Sequence, residues 1–242
     1  MSHYGIIGYP LSHSFSPGYF REQFRLRGID ATYEAFPIET ISALPALLEQ
    51  NPALRGLNVT IPYKQSVMAY LHELDDTARA VGAVNCIRIS EGRLKGFNTD
   101  CVGFATTLQP LLGDMPRQAL VLGTGGAAKA VVYALAQLGI PYQLVSRSGG
   151  DLQYAALTPE LIAGHTLIIN TTPLGMYPAV DTYPDLPYGA LGPQHILYDL
   201  VYNPEATLFL GKGRQQGATV KNGYDMLIAQ ADAGWAIWNE PL

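Results

Sequence analysis

The chain has 242 residues and a formal net charge of −5; 48% of its residues are hydrophobic and 14% are charged. This length can bury a substantial core in one large domain or two small ones. The acidic balance, without a run of Lys and Arg, argues against nucleic acid as a partner. Because neither a signal-peptide pattern nor an apolar stretch long enough for a membrane span occurs, we expect a soluble, cytoplasmic protein. Cys86 and Cys101 form no CxxC or Cys/His cluster, so we expect neither a disulfide nor a metal site.

Short β-branched runs alternate with helical patterns along the chain, which predicts an α/β fold. In the first hundred residues the predicted strands lie at 4–7, 32–36, 56–60, 83–89 and 93–97. The predicted helices between them lie at 18–27, 42–50, 64–70 and 75–81. A Glu91-Gly92 turn joins the last two strands as a hairpin, so we expect the first sheet to be mixed.

The second half of the sequence has the pattern of a nucleotide-binding unit. A helix beginning near Asp100 leads to a strand at 118–122, a glycine turn, a helix ending near 138 and a strand at 142–145, which is a β-α-β unit. Further strands are predicted at 166–170, 196–201 and 219–221, with helices at 205–211 and 224–238. No strand follows the last helix, and we expect it to pack back on the first unit.

Three glycines, Gly123, Gly125 and Gly126, stand between a strand and a helix rich in small residues. Backbone N–H groups and a helix N-terminus meet at such a turn and bind phosphate. Many tight strand-to-helix turns need glycine for steric reasons alone. The strand before and the helix and second strand after this turn favour the nucleotide-binding interpretation.

The second strand of this unit ends in Ser146-Arg147-Ser148, where an NAD-binding protein carries a carboxylate for the ribose 2′-OH. An Arg flanked by hydroxyls suits a 2′-phosphate, so the sequence favours NADP over NAD. A solvated loop Arg is the competing explanation. Asp151 lies farther on and would argue for NAD, although Gly149-Gly150 intervenes.

Polar residues also cluster at predicted strand ends in the first half. Ser12, Ser14 and Ser16 precede a helix and can hold a small anion; capping of that helix by Ser16 would explain only one of the three serines. Lys64 follows another strand and can serve as an acid/base or hold a polar substrate, unless it is a solvated surface Lys. Asp100 is either a helix N-cap or a functional carboxylate, and it would form a proton-transfer pair with Lys64 if the two faced one another.

These motifs resemble those of the shikimate dehydrogenase (shikimate 5-dehydrogenase) family from Gly5 to about Gln230. The stretches that carry the resemblance are, in order, GYPLSHSFSP, GLNVTIPYK, GAVNCI, GFNTD, GTGGAAKA, NTTPLGM, YDLVYNP and NGYDMLIAQA. Separate motifs in the correct order make the resemblance highly specific. It implies NADPH-dependent reduction of 3-dehydroshikimate to shikimate, a step of aromatic amino-acid (chorismate) biosynthesis.

The resemblance also implies roles for individual residues. The catalytic pair would be Lys64 and Asp100. The substrate-binding residues would include that pair and six others: Ser14, Ser16, Thr60, Asn85, Tyr202 and Gln230. The NADP-binding residues would be Gly123, Thr124, Gly125, Gly126, Ala127, Ser146, Arg147, Ser148, Thr171 and Gly223.

The resemblance further predicts two lobes around a cleft. An N-terminal mixed-sheet α/β substrate lobe over residues 1–100 would be completed by the C-terminal helix, 224–242, and a Rossmann-type NADP lobe would span 101–223. We expect a small-molecule substrate, no nucleic-acid or membrane partner, no metal, and a monomer or homodimer. The alternatives are an NAD-using quinate/shikimate dehydrogenase and a non-catalytic ligand-sensing relative.

Three departures from the family pattern concern the cofactor. The family's loop usually reads Asn-Arg-Thr where this chain has Ser146-Arg147-Ser148. The connection from this loop to the strand at 166–170 is short, so a helix beside the adenosine pocket is expected to be truncated. Tyr224 and Asp225 replace the Leu-Gly of many members, and Asp225 would alter contacts near the nicotinamide.

Overall fold

A computed structural model describes residues 2–12, 14–113 and 117–239. The chain forms two compact units, one of Met1–Thr99 with Ala231–Leu242 and one of Asp100–Gln230. The chain returns to the first unit between residues 230 and 231, within the last helix. This boundary lies seven residues later than the predicted boundary between residues 223 and 224. His13 of the serine motif and residues 240–242 of the predicted last helix lie outside the described residues.

The first unit contains a six-stranded sheet in the order β2-β1-β3-β5-β6-β4. Strands β1, β2 and β3 are parallel, and β5 is antiparallel to both β3 and β6, so the sheet is mixed as predicted. Glu91 and Gly92 have φ values of 50° and 75°, as a two-residue hairpin turn requires. The elements are β1 (Ser2–Gly8), α1 (Phe15–Arg27), β2 (Ala31–Pro37), a 3-10 helix (Ile41–Ala43), α2 (Leu44–Gln50), β3 (Leu54–Val59), a 3-10 helix (Ser66–Tyr70), β4 (Glu73–Leu74), α3 (Asp76–Val81), β5 (Cys86–Ser90) and β6 (Arg93–Phe97).

The second unit contains a parallel six-stranded sheet in the order β12-β11-β10-β7-β8-β9. Its central strands β7 and β10 are buried along their whole length, which explains their continuous apolar runs. The elements are α4 (Asp100–Leu112), β7 (Ala119–Leu122), α5 (Gly126–Gln137), β8 (Tyr142–Ser146), β9 (Leu152–Gln153), a 3-10 helix (Tyr154–Ala156), α6 (Pro159–Gly164), β10 (Leu167–Asn170), a 3-10 helix (Tyr188–Ala190), β11 (Ile196–Asp199), α7 (Leu208–Gln215), β12 (Thr219–Lys221) and α8 (Tyr224–Asn239).

This strand order is that of a doubly wound dinucleotide-binding fold, with the order reversing between β7 and β10. Because the strands are parallel, the segments after β7, β8, β10 and β11 lie along one edge of the sheet. Ligands of open α/β sheets bind in the crevice at such a reversal. The predicted glycine turn, Ser146-Arg147-Ser148 loop and Thr171 all lie on this edge.

The C-terminal half of α8 belongs to the core of the first unit. The ring of Trp238 stacks on Tyr4 with centroids 5.0 Å apart, and its Nε1 donates to the carbonyl of Ile87 at 2.9 Å. A Cβ at Gly56 would overlap the Trp238 indole, so glycine is required there. Buried aromatic side chains contribute large apolar areas, which explains why this half of the helix joins the first unit.

Several predicted elements differ from the observed ones. The helix predicted over 64–70 is a 3-10 helix that begins only at Ser66, so Lys64 lies in a turn rather than at a helix start. The helix predicted over 205–211 begins at Leu208, after Thr207 caps it. Strands β4 and β9 have two residues each, too few for a periodic pattern to reveal. No helix among the described residues is long and apolar enough to cross a membrane.

Candidate active site

The glycine turn directly follows β7. Gly123 has a φ of 109°, which residues with a Cβ rarely adopt, and its N–H donates to the carbonyl of Val145 at 2.8 Å. A Cβ at this position would lie 2.7 Å from Oγ1 of Thr171. Both the backbone conformation and the close approach of the segment after β10 therefore require glycine at position 123.

Gly125 and Gly126 are glycines for a different reason, since a Cβ built on either meets no atom within 4 Å. Gly125 is the N-cap residue of α5, whose first N–H groups lack intrahelical partners. Open space, N–H donors and the positive end of the helix dipole coincide here, which fits the diphosphate of a dinucleotide. Thr124 and Ala127 flank these glycines in the same turn.

Thr171 lies against this turn at the reversal of strand order. Its N–H and its hydroxyl both donate to the carbonyl of Leu122, at 2.9 and 2.7 Å. These bonds join the segment after β10 to the end of β7. Thr171 therefore has a structural role that the sequence did not reveal, and its role in cofactor binding stays a prediction.

The loop after β8 has an internal hydrogen-bond pattern. The Ser146 hydroxyl donates to the carbonyl of Ser148 at 2.5 Å and accepts from its N–H at 3.1 Å. Asp151 accepts from the backbone N–H of Leu144 at 2.7 Å, so its carboxylate is bonded to β8. Arg147 is exposed. This arrangement favours Arg147 over Asp151 as the residue that meets the adenosine ribose. The connection that follows contains α6, which has six residues.

In the first unit, Ser14 and Ser16 lie at the start of α1. The helix begins at Phe15, so the capping explanation based on Ser16 is wrong. Ser14 holds the N-cap position, but its side chain makes no capping bond. Ser16 is buried and hydrogen bonds with Tyr33. Burial raises the pKa of Tyr33 well above its ordinary value, and the bond with Ser16 partly opposes that shift.

Tyr33 connects the serines to the end of β3. Its hydroxyl donates to Oδ1 of Asn58 at 2.6 Å, and Nδ2 of Asn58 lies 3.4 Å from the carbonyl of Asn85. Tyr33 and Asn58 are both buried. They were not predicted as site residues, because a buried Tyr and an Asn inside a strand have no distinctive spacing. Their hydrogen bonds connect Ser16 to the backbone at Asn85 and so fix the polar edge of this sheet.

The turn after β3 carries Thr60 and Lys64, both half-buried. The N–H of Thr60 donates to the carbonyl of Ile7 at 3.0 Å, and the carbonyl of Lys64 accepts from the N–H of Val84 at 2.7 Å. The N–H of Tyr9 donates to the carbonyl of Ile61 at 3.1 Å, which joins this turn to the segment that leads to the serines. The backbone that carries Lys64 is thus fixed on both sides.

Asn85 precedes β5 on the same edge. Its side chain bonds twice to Thr99: Oδ1 accepts from the Thr99 N–H at 2.7 Å, and Nδ2 lies 2.9 Å from Oγ1. Asn98 donates to the carbonyl of Ala83 at 3.0 Å. These bonds fix the residues that precede Asp100. Asn85 therefore has a structural role in addition to the predicted contact with substrate.

Asp100 is the first residue of α4, so it lies in the first turn of the helix rather than at the N-cap. Its side chain is buried. One turn later, a Cβ at Gly103 would lie 2.6 Å from the carbonyl of Met226 and 3.0 Å from the N of Gln230. This close approach brings the start of α4 to Gln230. Nε2 of Gln230 donates to the carbonyl of Leu227 at 2.9 Å.

A cavity of about 710 Å³ in the second unit borders the half-buried Tyr202, with Asn203, Glu205, Asn222, Tyr224 and Asp225. Burial raises the pKa of the Tyr202 hydroxyl. A Cβ at Gly223 would overlap the Leu200 carbonyl, so that glycine has a packing reason. The carboxylate of Asp225 pairs with Lys221, the last residue of β12, which offsets the charge that Asp225 adds to this part of the chain.

The structure therefore brings the predicted residues together within each unit. Ser14, Ser16, Thr60, Lys64 and Asn85 share one edge of the first sheet. The glycine turn, Thr171 and the loop after β8 share one edge of the second sheet, and Asp100 and Gln230 lie where α4 meets α8. Among the described residues, no cluster of His, Cys, Asp and Glu is arranged to hold a metal ion.

Asp199 is a buried carboxylate that the sequence did not reveal. Burial raises its pKa to about 6, although bonds from Thr207, Val201 and Asn170 oppose the shift. Between about pH 4 and 6 the folded protein binds more protons here than the unfolded chain, whose carboxyl has an ordinary pKa. The contribution of this group to the free energy of unfolding therefore decreases as pH rises through that window, by up to about 3 kcal/mol.

We expect this dependence to disappear in Asp199→Asn, which carries no titrating group at that position. Urea unfolding of both proteins from pH 4.5 to 7.5 should show the native protein gaining stability relative to the variant as the pH falls. A stability difference that is constant with pH, or that changes in the opposite direction, would contradict the raised pKa.

The fold and the site first define a class: a two-unit α/β protein whose second unit has a dinucleotide-binding fold and whose first unit gathers polar side chains at one edge of its sheet. The family model for the shikimate dehydrogenase substrate binding domain matches residues 6–87. A curated relative from Clostridium beijerinckii, named shikimate dehydrogenase (NADP(+)), is 41% identical over 99% of this chain and 93% of its own length. The chain belongs to the shikimate dehydrogenase family.

Solved structures agree with this assignment. Shikimate 5-dehydrogenase from Thermus thermophilus, in complex with NADP(H) and shikimate, is 33% identical, with a TM-score of 0.87 over 100% of this chain and 95% of that one. Shikimate 5-dehydrogenase from Listeria monocytogenes, in complex with shikimate and NAD, is 28% identical, with a TM-score of 0.87 over 98% of this chain and 91% of that one. Each likeness covers nearly all of this chain.

Proposed function

We propose that this protein is an NADP-dependent shikimate dehydrogenase, which catalyses the reversible reduction of 3-dehydroshikimate to shikimate in aromatic amino-acid biosynthesis. The observation that carries the proposal is the near full-length relationship to curated NADP-dependent shikimate dehydrogenases. Lys64 and Asp100, the pair implied by the motifs NVTIPYK and GFNTD, are both present. This argues against a non-catalytic, ligand-sensing relative.

In this proposal the second unit holds NADP(H). The open positions at Gly125 and Gly126 would accept the diphosphate against the N-terminus of α5, and Arg147 would meet the 2′-phosphate. Bound NADPH supplies the hydride for the carbonyl carbon. Gly123 and Thr171 hold the glycine turn and the segment after β10 against each other, so that the cofactor-binding surface would be formed before the cofactor binds.

The first unit holds the substrate in this proposal. Ser14, which is not engaged in capping, and Ser16 would bind the carboxylate, while Thr60 and Asn85 would orient the ring hydroxyls. Because Ser16 bonds to Tyr33 and Asn85 bonds to Thr99, the polar side chains of Ser16 and Asn85 have positions that are already fixed. The family motifs also assign Tyr202 and Gln230 to substrate binding. Preorganised polar groups lower the cost of orienting a small polyhydroxy acid.

Lys64 and Asp100 would carry out the proton chemistry. As hydride adds to the C3 carbonyl carbon, the Lys64 ammonium gives a proton to the oxygen and its charge stabilises the developing alkoxide. A carboxylate beside an ammonium favours the charged state of both groups, which is the role assigned to Asp100. In the reverse direction Lys64 accepts the proton from the C3 hydroxyl.

A panel of two substrates and two cofactors tests the proposal. Absorbance at 340 nm should rise when the purified protein is given shikimate and NADP⁺, and kcat/KM should be lower with quinate and with NAD⁺. Higher kcat/KM with NAD⁺ or quinate would favour the NAD-using quinate/shikimate dehydrogenase. Ligand binding without turnover of either substrate would favour the non-catalytic relative.

The cofactor preference should depend on Arg147. We expect Arg147→Ala to lower kcat/KM for NADPH by about 10- to 100-fold, since a charge-assisted bond to phosphate is lost, and to leave kcat/KM for NADH nearly unchanged. Arg214→Ala is the matched control, because Arg214 is another exposed Arg of the same unit, on α7. An unaltered NADPH preference in Arg147→Ala would show that another group meets the 2′-phosphate.

A further inference from the structure

Asp199, the last residue of β11, is completely buried and accepts three hydrogen bonds. Its Oδ1 accepts from Nδ2 of Asn170 at 2.9 Å and from the N–H of Val201 at 3.0 Å. Its Oδ2 accepts from the Thr207 hydroxyl at 2.6 Å. The three donors come from the end of β10, from the segment after β11 and from the N-cap of α7, so one carboxylate joins three parts of the second unit.

Asn170 connects Asp199 to the segment after β10. Oδ1 of Asn170 accepts from the N–H of Thr172 at 3.0 Å and from its hydroxyl at 2.6 Å, and Nδ2 lies 3.3 Å from the carbonyl of Leu174. The residue between, Thr171, bonds to the end of β7 and borders Gly123. The Asn170 amide therefore bonds to the backbone on both sides of Pro173, in the segment that packs on the glycine turn.

Val201 and Thr207 connect Asp199 to the segment that carries Tyr202. Val201 and Thr207, near the two ends of the segment 200–207, both donate to this carboxylate, and the N–H of Leu200 donates to the carbonyl of Asn170 at 3.0 Å. The N–H of Gly223 donates to the carbonyl of Val201 at 3.2 Å. The segments after β10 and β11 thus share Asp199 as a common acceptor.

We propose that Asp199 is a positioning residue whose carboxylate holds the segments 171–175 and 200–207 in the one arrangement that binds the dinucleotide and orients Tyr202. The inference rests on the proposed function for the identity of the dinucleotide. The groups that donate to Asp199 are all neutral, so among the described residues hydrogen bonds, and no ion pair, hold the buried charge. Burial raises the pKa of Asp199, which means that burying this carboxylate in its charged form costs free energy. Its role as a shared acceptor explains why a charged group stands at this position.

Two substitutions of Asp199 separate positioning from general stability. Asp199→Ala removes all three acceptor contacts, and its dissociation constant for NADP⁺, measured by calorimetry, should rise by about 10- to 100-fold. Asp199→Asn can keep both bonds to Oδ1 and donate to the Thr207 hydroxyl, so its dissociation constant should stay within about 3-fold of the native value. In the apoprotein, hydrogen exchange of 171–175 and 200–206 should be faster in Asp199→Ala alone.

Thr158→Ala is the matched control, because Thr158 caps the N-terminus of α6 in the same unit and its hydroxyl accepts from Leu161. It should lower stability without changing NADP⁺ affinity or exchange in the two segments. If Asp199→Ala does not fold, Thr207→Val replaces it and should weaken NADP⁺ binding with faster exchange centred on 200–206.

The inference is overturned if folded Asp199→Ala, or Thr207→Val in its place, binds NADP⁺ as the native protein does. It is also overturned if Asp199→Asn binds as weakly as Asp199→Ala, because the effect would then follow charge rather than hydrogen-bond geometry. A native protein that does not bind NADP⁺ overturns the proposed function together with this inference, whereas native binding with unaffected variants overturns this inference alone.

Discussion

Lys64→Ala is expected to lower kcat for NADP-linked oxidation of shikimate by about 10²- to 10⁴-fold, the range of a lost general acid-base group. KM for shikimate should change much less, because serines and amides of the first unit provide most of the binding in our proposal. The backbone around Lys64 is fixed through Val84, so removing the side chain should leave the turn intact. Steady-state kinetics with varied shikimate and saturating NADP⁺ measure both constants.

Lys95→Ala is the matched control for this variant. Lys95 lies on β6 of the same unit, and its ammonium pairs with Glu73, which is not a predicted site residue. It should retain native kcat and lose little stability, since partly exposed ion pairs contribute little. Native turnover in Lys64→Ala would show that Lys64 is not the proton-transfer residue.

Substitutions in the glycine turn should produce opposite effects on folding and on cofactor binding. Gly126→Leu places a side chain in open space at the first turn of α5, and Leu favours helix more than Gly does. The apoprotein should therefore be as stable as the native protein or more so. Its affinity for NADP⁺ should fall by at least about 100-fold, because the side chain occupies the space assigned to the diphosphate.

Gly123→Ala is the contrasting variant. The φ of 109° and the 2.7 Å approach of Thr171 Oγ1 make any Cβ unfavourable there, and we expect a loss of about 1–3 kcal/mol in the free energy of unfolding. Urea unfolding and calorimetric titration with NADP⁺ measure the two properties separately. Native NADP⁺ affinity in Gly126→Leu would place the diphosphate elsewhere.

The dinucleotide-binding half could be predicted because local sequence determines it. A strand, a glycine turn, a helix and a second strand follow in order, and the positive φ at Gly123 and the open positions at Gly125 and Gly126 explain the glycines physically. The predicted mixed first sheet was also correct, because the Glu91-Gly92 turn encodes the hairpin. These features depend on neighbouring residues alone.

Features that depend on distant residues could not be predicted. The apolar pattern of α8 continues through the point where the helix leaves the second unit for the first, and only the aromatic contacts of Trp235 and Trp238 show where that happens. Capping of the first helix by Ser16 is a local explanation that the sequence offers, whereas Ser16 hydrogen bonds with Tyr33, which lies on β2. Asp199 lies within the motif YDLVYNP, but nothing in that motif indicates three converging donors.

The measurement that tests the central claim most directly is the kcat/KM of the purified native protein for shikimate with NADP⁺, followed at 340 nm beside Lys64→Ala and Lys95→Ala. We predict robust NADP⁺ reduction by the native protein and by Lys95→Ala, and a loss of about 10²-fold or more in Lys64→Ala. No shikimate-dependent NADP⁺ reduction by the folded native protein, at any pH from 6 to 10, would contradict the assignment as an NADP-dependent shikimate dehydrogenase.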